Sequence, residues 1–230
     1  MTFAKIATLK SSGAVLFGLL FLTDIMIVAQ NPLIKDELAA VQQSELTNQT
    51  KLSHYTWQET QIISINGEAV DYRLYSAGVG ANGQYHRNLM TESTGQEATL
   101  KPPKKKRLST YGSYAHDLCE LSNQYTSLNV EQLTQASNRG ESDFVRDGNL
   151  IKLAIKNYLK SGDSVVMAVD QHTHRLLRVQ ARSYLTDPQD AVTIQAEFAE
   201  LPDGTNHVST VEIDSVNRHL TVKLTSWLYQ

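Results

Sequence analysis

The densest charge in the sequence is Lys101 with the run Lys104-Lys105-Lys106-Arg107, a cluster able to attract anionic lipid headgroups, polysaccharide or nucleic acid. No aromatic residue interleaves with it, and it precedes a helical pattern whose N-terminal dipole disfavours cations. A solvated surface loop is therefore the simpler reading. His172 and His174 stand two apart and would share one side of an extended segment, which is how a metal site can begin. They fall in a turn pattern, however, and no nearby cluster supplies the third and fourth ligands that zinc requires. His116 and Cys119, three apart on a helix, could pair as base and nucleophile. Cys119 continues an apolar stripe and reads more simply as a small buried hydrophobe. Asp117 with Glu120 reads as an exposed helical pair, and the scattered histidines His54, His86, His207 and His219 as surface or satisfied polar groups. Gly-x-Ser-x-Gly, His-Glu-x-x-His, P-loop and Gly-x-Gly-x-x-Gly patterns are absent. The expectation is a protein without a catalytic centre, metal or cofactor. A formal net charge of −3 gives no global signal for nucleic acid.

These side chains must be positioned by elements that the hydropathy pattern makes legible. From about Asn31 to Lys51, Leu33, Leu38, Val41 and Leu46 recur loosely at helical intervals behind Asp36-Glu37, so a short amphipathic helix is expected. The period then changes. Tyr55 to Ile65, the Asn66-Gly67 turn signal and Val70 to Tyr75 read as a β-hairpin, followed by a turn over Gly78 to Gly83 and a strand over Gln84 to Thr91. Residues Thr91 to Arg107, with Pro102-Pro103, read as a surface crossing. Leu108, Tyr111, Ala115, Leu118, Cys119, Ser122 and Tyr125 then predict one buried helix face, and Val130 to Ser137 a second helical patch. Beyond Ser164, short alternating runs centred on Val165–Val169, Leu177–Ala181, Val192–Phe198, Val208–Ile213 and His219–Trp227 are separated by turn chemistry. That is an antiparallel meander with one apolar face, which must be covered by the helices. The fold class expected is α+β, a curved antiparallel half-barrel sheet packed against two or three helices. Tyr72, Tyr75, Tyr85, Tyr111, Tyr125, Tyr158, Tyr184 and Tyr229, with Trp57 and Trp227, are assigned to the core, a ligand pocket being the alternative.

The N-terminal segment stands apart. Lys5 and Lys10 precede the apolar stretch Gly13 to Ala29, the pattern of a secretory signal peptide cleaved after Ala29. The alternative is an uncleaved membrane anchor, for which Asp24 is costly and the run short. Cleavage would leave about 200 residues, close to the size of one domain, spanning residues 30–230 with a helical insertion at about 104–138. Cys119, the only cysteine, has no intrachain partner for a disulfide.

The stretch Ser164-Val-Val-Met-Ala-Val-Asp170, with Thr173 and Leu176-Leu-Arg-Val179, is similar to the strand, Asp-containing turn and strand near the middle of the sheet in the LolA/LolB-like superfamily of periplasmic lipoprotein carriers and their relatives. The element order resembles that family over most of residues 50 to 228, departing in the lysine run and in a longer middle insertion. The resemblance implies a periplasmic or extracellular, non-enzymatic protein whose sheet and helices enclose a groove for a lipid, an acyl chain or a lipoprotein segment. The side chains expected to line that groove are Tyr72, Leu74, Tyr111, Leu118, Val179, Ile194 and Phe198. The competing expectation is an envelope interaction or scaffold domain with a packed interior, touching anionic membrane surfaces through Lys104, Lys105, Lys106 and Arg107.

Overall fold

The computed structural model describes residues 32–80, 84–93, 102–127 and 129–230. The segment read as a signal peptide, the Gly78 to Gly83 turn beyond residue 80, and Lys101 lie outside the described residues, as do the side chains of residues 104–107.

Ten strands form one open antiparallel sheet. Helix α1 (Pro32–Leu52) leads into β1 (Thr56–Ile65), β2 (Glu68–Val79) and β3 (Tyr85–Ser93). Helices α2 (Pro102–Thr126) and α3 (Val130–Asn138) follow. The meander then runs through β4 (Ser142–Asp147), β5 (Leu150–Lys156), β6 (Ser164–Asp170), β7 (Leu176–Tyr184), β8 (Ala191–Glu200), β9 (Asn206–Ser215) and β10 (Leu220–Trp227). The spatial order is β3-β2-β1-β10-β9-β8-β7-β6-β5-β4, so each strand pairs with its sequence neighbour except at one seam, where β1 meets β10. The α+β class with a curved antiparallel sheet is as expected.

Local chemistry explains the turns. Asn66 and Gly67 have φ of 53° and 79°, the positive angles of a two-residue hairpin turn between Ile65 and Glu68. Asp170 closes the β6–β7 turn by accepting from the backbone N–H of His172 and Thr173 and from the Thr173 hydroxyl. Register shifts in β1–β2, β2–β3, β6–β7 and β8–β9 are bulges of the kind that bend a sheet.

Topology dictates where the helices lie. The chain leaves the sheet at edge strand β3 and re-enters at the opposite edge, β4, so α2 and α3 must cross the sheet's width. A flat ten-strand sheet is about 43 Å wide at the usual strand spacing. The 25 residues of α2 span roughly 37 Å of that. Helix α2 begins at Pro102, six residues before the expected start at Leu108, and this corrects the reading of Pro102 to Arg107 as a loop. Proline suits a helix's first turn, where its missing N–H is one the helix would leave unpaired anyway. Strands β4 and β5 are additions to the expected elements. They are joined by the two-residue turn Gly148-Asn149, with Gly148 at φ 60°.

The core lies between α2, α3, part of α1 and the inner face of β5–β10. Leu118, Ala115 and Tyr125 of α2 and Leu133 and Ala136 of α3 pack on Ile151, Val165, Met167, Val179, Ile194 and Ile213, all buried. One buried polar network pins α2 to this half. The Tyr125 hydroxyl donates to Asp163 Oδ2 at 2.5 Å and, having only one proton, receives the Ser183 hydroxyl at 2.8 Å. Asp163 also accepts the backbone N–H groups of Tyr158, Leu159 and Lys160.

Candidate functional site

Across the β1–β10 seam, the inner face changes character. The paired row Val179, Ala196, Val211 and Leu224 is apolar, and its continuation on β1 and β2 is Gln61 and Arg73. One row over, Ser226 pairs with Glu59, and Glu59 with Tyr75. Tyr85 and Arg87 of β3 stand opposite Val79 and Ala77.

These groups neutralise one another. Glu59, 5% exposed, accepts from the Tyr85 hydroxyl at 2.8 Å and from Arg87 Nη1 at 3.0 Å. The Arg87 guanidinium lies 4.4 Å over the Tyr75 ring, whose hydroxyl donates to Gln61 Oε1 at 3.0 Å. The Gln61 amide in turn donates to Cys119 Sγ at 3.1 Å. Burial pushes the Cys119 thiol up, away from thiolate, while His116 is exposed on another side of the helix. The structure therefore does not bring these two residues together as a nucleophile and base. His172 and His174 are likewise set in the β6–β7 turn, with His174 Nε2 3.2 Å from Glu37 Oε2.

Beside the Glu59 network, between the C-terminal halves of α1 and α2 and the sheet, lies a cavity of about 160 Å³. Its apolar wall is Leu52, Trp57, Val79, Phe198, Leu224 and Tyr229. Tyr229 reaches it because Leu228 takes a left-handed backbone conformation (φ 53°), while Gln230 pairs with Thr56 through both backbone groups, at 2.8 and 3.0 Å. The Tyr229 ring stacks on Trp57 with centroids 5.2 Å apart and lies 4.2 Å from His207. Burial holds the His207 imidazole below its usual pKa, against a smaller opposing effect of its contact with the Val208 carbonyl. Trp57 is 7% exposed, and its indole N–H has no hydrogen-bond partner among the described residues. The roof is fixed by Asn48 of α1, which both donates to the Asn206 carbonyl and accepts the Asn206 N–H.

This cleft adjoins a second space of about 470 Å³ between α1 and the α2–α3 junction, lined mainly by polar side chains, the two sharing Glu45, Gln49 and Ser127. Burial pushes the Glu45 carboxyl above the usual range, opposed only in part by its hydrogen bond with Gln49.

Of the side chains expected to line a groove, Phe198 lines this cleft. Leu118, Val179 and Ile194 are fully buried in the packed core, and Tyr111 is a half-buried side chain packed against it. Tyr72, 40% exposed, and Leu74 are on the sheet's outer face, because register points their neighbours Asp71, Arg73 and Tyr75 inward. The void under α1 and α3, bounded by Leu38, Val41, Leu133 and Met167, is about 20 Å³. The signal that could have located the cleft is the aromatic set Trp57, Tyr85 and Tyr229, which sequence reasoning assigned to the core.

No family model matches the chain, and no curated protein matches it in sequence. Among solved structures it is similar to a DUF1329 family protein from Desulfovibrio piger ATCC 29098, with 11% identity over 86% of this chain and 92% of that one and a TM-score of 0.39. It is also similar to a LolA superfamily protein from Nitrosomonas europaea, with 10% identity over 82% of this chain and 92% of that one and a TM-score of 0.38.

Proposed function

We propose that this protein is a non-enzymatic binding protein that seats the apolar end of an amphiphile, such as an acyl chain or an acylated peptide, in the aromatic cleft beside Trp57. The observation that carries the reading is the combination of an apolar wall with an unpaired, buried indole N–H. Burying a donor without an acceptor costs free energy, and an acceptor oxygen at the root of an entering chain, a carbonyl or a glycosidic oxygen, would recover it. Size sets the scale of the occupant. An engineered apolar cavity of roughly 150 Å³ holds one benzene, so the cleft's 160 Å³ accepts one ring or a short stretch of chain, with the remainder in the polar space outside.

Trp57 supplies its own reporter. The sequence has two tryptophans, and Trp227→Phe leaves Trp57 as the only indole. A maltoside detergent brominated on its alkyl chain, below its micelle concentration, should quench Trp57 saturably in that variant. It should leave the exposed Trp227 unquenched in the Trp57→Phe variant. Absence of quenching in the first variant overturns the reading.

The reading includes export and a single mature domain. Its support is the Lys5, Lys10 and Gly13 to Ala29 pattern, and no helix among the described residues is long and apolar enough to cross a membrane. Expression of the full chain in a Gram-negative host should give a mature N-terminus at Gln30 by mass spectrometry. An intact N-terminus in the membrane fraction would mean an anchored protein instead.

A further inference from the structure

We propose that the cleft selects amphiphiles with a cationic head, a primary or quaternary ammonium joined to an acyl chain, over those with an anionic one. The inference rests on the binding reading above and names the chemistry of the head.

Charge on the cavity walls points this way. The apolar cleft and the polar space meet at Glu45, Gln49 and Ser127, so the head of a chain seated against Trp57 emerges beside Glu45. The polar space adds Glu131 and the neutral carboxamides of Gln42, Gln124 and Gln132, and neither cavity is lined by a lysine or arginine among the described residues. Glu59, the third acid, already has Arg87 and Tyr85 as partners. His207 is the one basic side chain on the walls, and its burial favours the neutral imidazole. An anionic head would therefore meet two carboxylates and no counter-charge.

Glu45 is the residue with a vacancy to fill. It is half-buried, its hydrogen bond is to an uncharged amide, and no cation pairs with it among the described residues. Desolvation penalises its charged form, and an ammonium placed against it would relieve that penalty.

Three probes with an eight-carbon tail and an acceptor oxygen at its root separate the head from the chain: octanoylcholine, octyl glucoside and octanoate, titrated against the Trp57 fluorescence of the Trp227→Phe protein. The ammonium should bind about tenfold more tightly than octanoate, with the glucoside between them. Glu45→Gln, which keeps shape and hydrogen-bonding capacity, should weaken the ammonium about tenfold and leave the glucoside unchanged. Octanoate binding as tightly as the ammonium, or an unaltered ammonium affinity in Glu45→Gln, overturns the selectivity while sparing the cleft. Failure of all three probes overturns the binding reading and the selectivity with it. A thermal melt of Glu45→Gln that matches the parent shows that any loss is one of binding and not of folding.

Discussion

The two ends of the sheet's inner face share one backbone geometry and carry opposite chemistry. Under α2 and α3, strands β5–β9 present Ile151, Met167, Val179, Ile194 and Ile213 to a closed apolar core. On β1–β3 the same face carries Glu59, Gln61, Asp71, Arg73 and Arg87. Every buried side-chain polar atom without a partner among the described residues, Trp57 Nε1, Asp71 Oδ1 and Arg73 Nε, is on β1 or β2. Each such atom costs folding free energy unless something outside the chain satisfies it. The lesson is a division of labour: the β5–β9 half holds the fold together, and the β1–β3 half spends stability on a polar wall beside the cleft.

The comparison breaks most visibly if core truncation turns out to be cheap. Ile194→Ala removes a fully buried side chain from the β5–β9 half and should lower unfolding free energy by about 4 kcal/mol in urea titrations. Tyr72→Ala, on the outer face of β2, should change it by about 0.5 kcal/mol or less. Similar losses from the two would refute the placement of the core.

The next test asks whether the Glu59–Arg87 pair stabilises anything. Arg87→Met leaves Glu59 buried with only the Tyr85 hydroxyl, and should cost about 3 kcal/mol. The double variant Glu59→Leu with Arg87→Met removes both charges and should return to within about 1 kcal/mol of the parent. If the double variant is as unstable as the single one, the polar wall is structural and the division of labour fails.

The contrast between the halves also explains what the sequence made legible. Alternation in Val192 to Phe198 and in Leu177 to Ala181, and the Asn66-Gly67 turn, are local properties, and each element stands where its own residues put it. Strand β4 escaped because it is an edge strand of mostly exposed side chains, with no apolar run to betray it. Alternation alone turns Tyr72 and Leu74 inward, because they are the apolar members of their strand. In the structure, inward-facing Arg73 is held by Asp71 and Glu92, each at 2.9 Å, which reverses the usual parity. The cleft was illegible for a different reason. It joins Glu45, Trp57 and Tyr229, from the first helix to the last residues, and they meet only because β1 pairs with β10 across the seam.

The smallest expected effect is also the most discriminating, because the two halves should answer acid with opposite signs. In the β6–β7 turn, Asp170 is held below the usual carboxylate range chiefly by the Thr173 N–H and hydroxyl. Its folded pKa is lower than its unfolded one. It therefore contributes stability above about pH 4, and loses it as pH falls through the folded value. Asp71 on β2 is the reverse. Burial pushes its carboxyl up despite Arg73, with Glu92 adding repulsion, so its favourable contribution exists at low pH and disappears as pH rises through its folded pKa. Asp170→Asn should be less stable than the parent by about 1 kcal/mol at pH 7, with the gap closing as the pH drops toward 2. Asp71→Asn should be as stable as the parent or more so at pH 7, with any advantage vanishing below the range where the unfolded carboxyl titrates. Chemical denaturation of the three proteins between pH 2 and 7 measures both slopes, and slopes of the same sign would mean that the polar half is bound by its charges as firmly as the turn is.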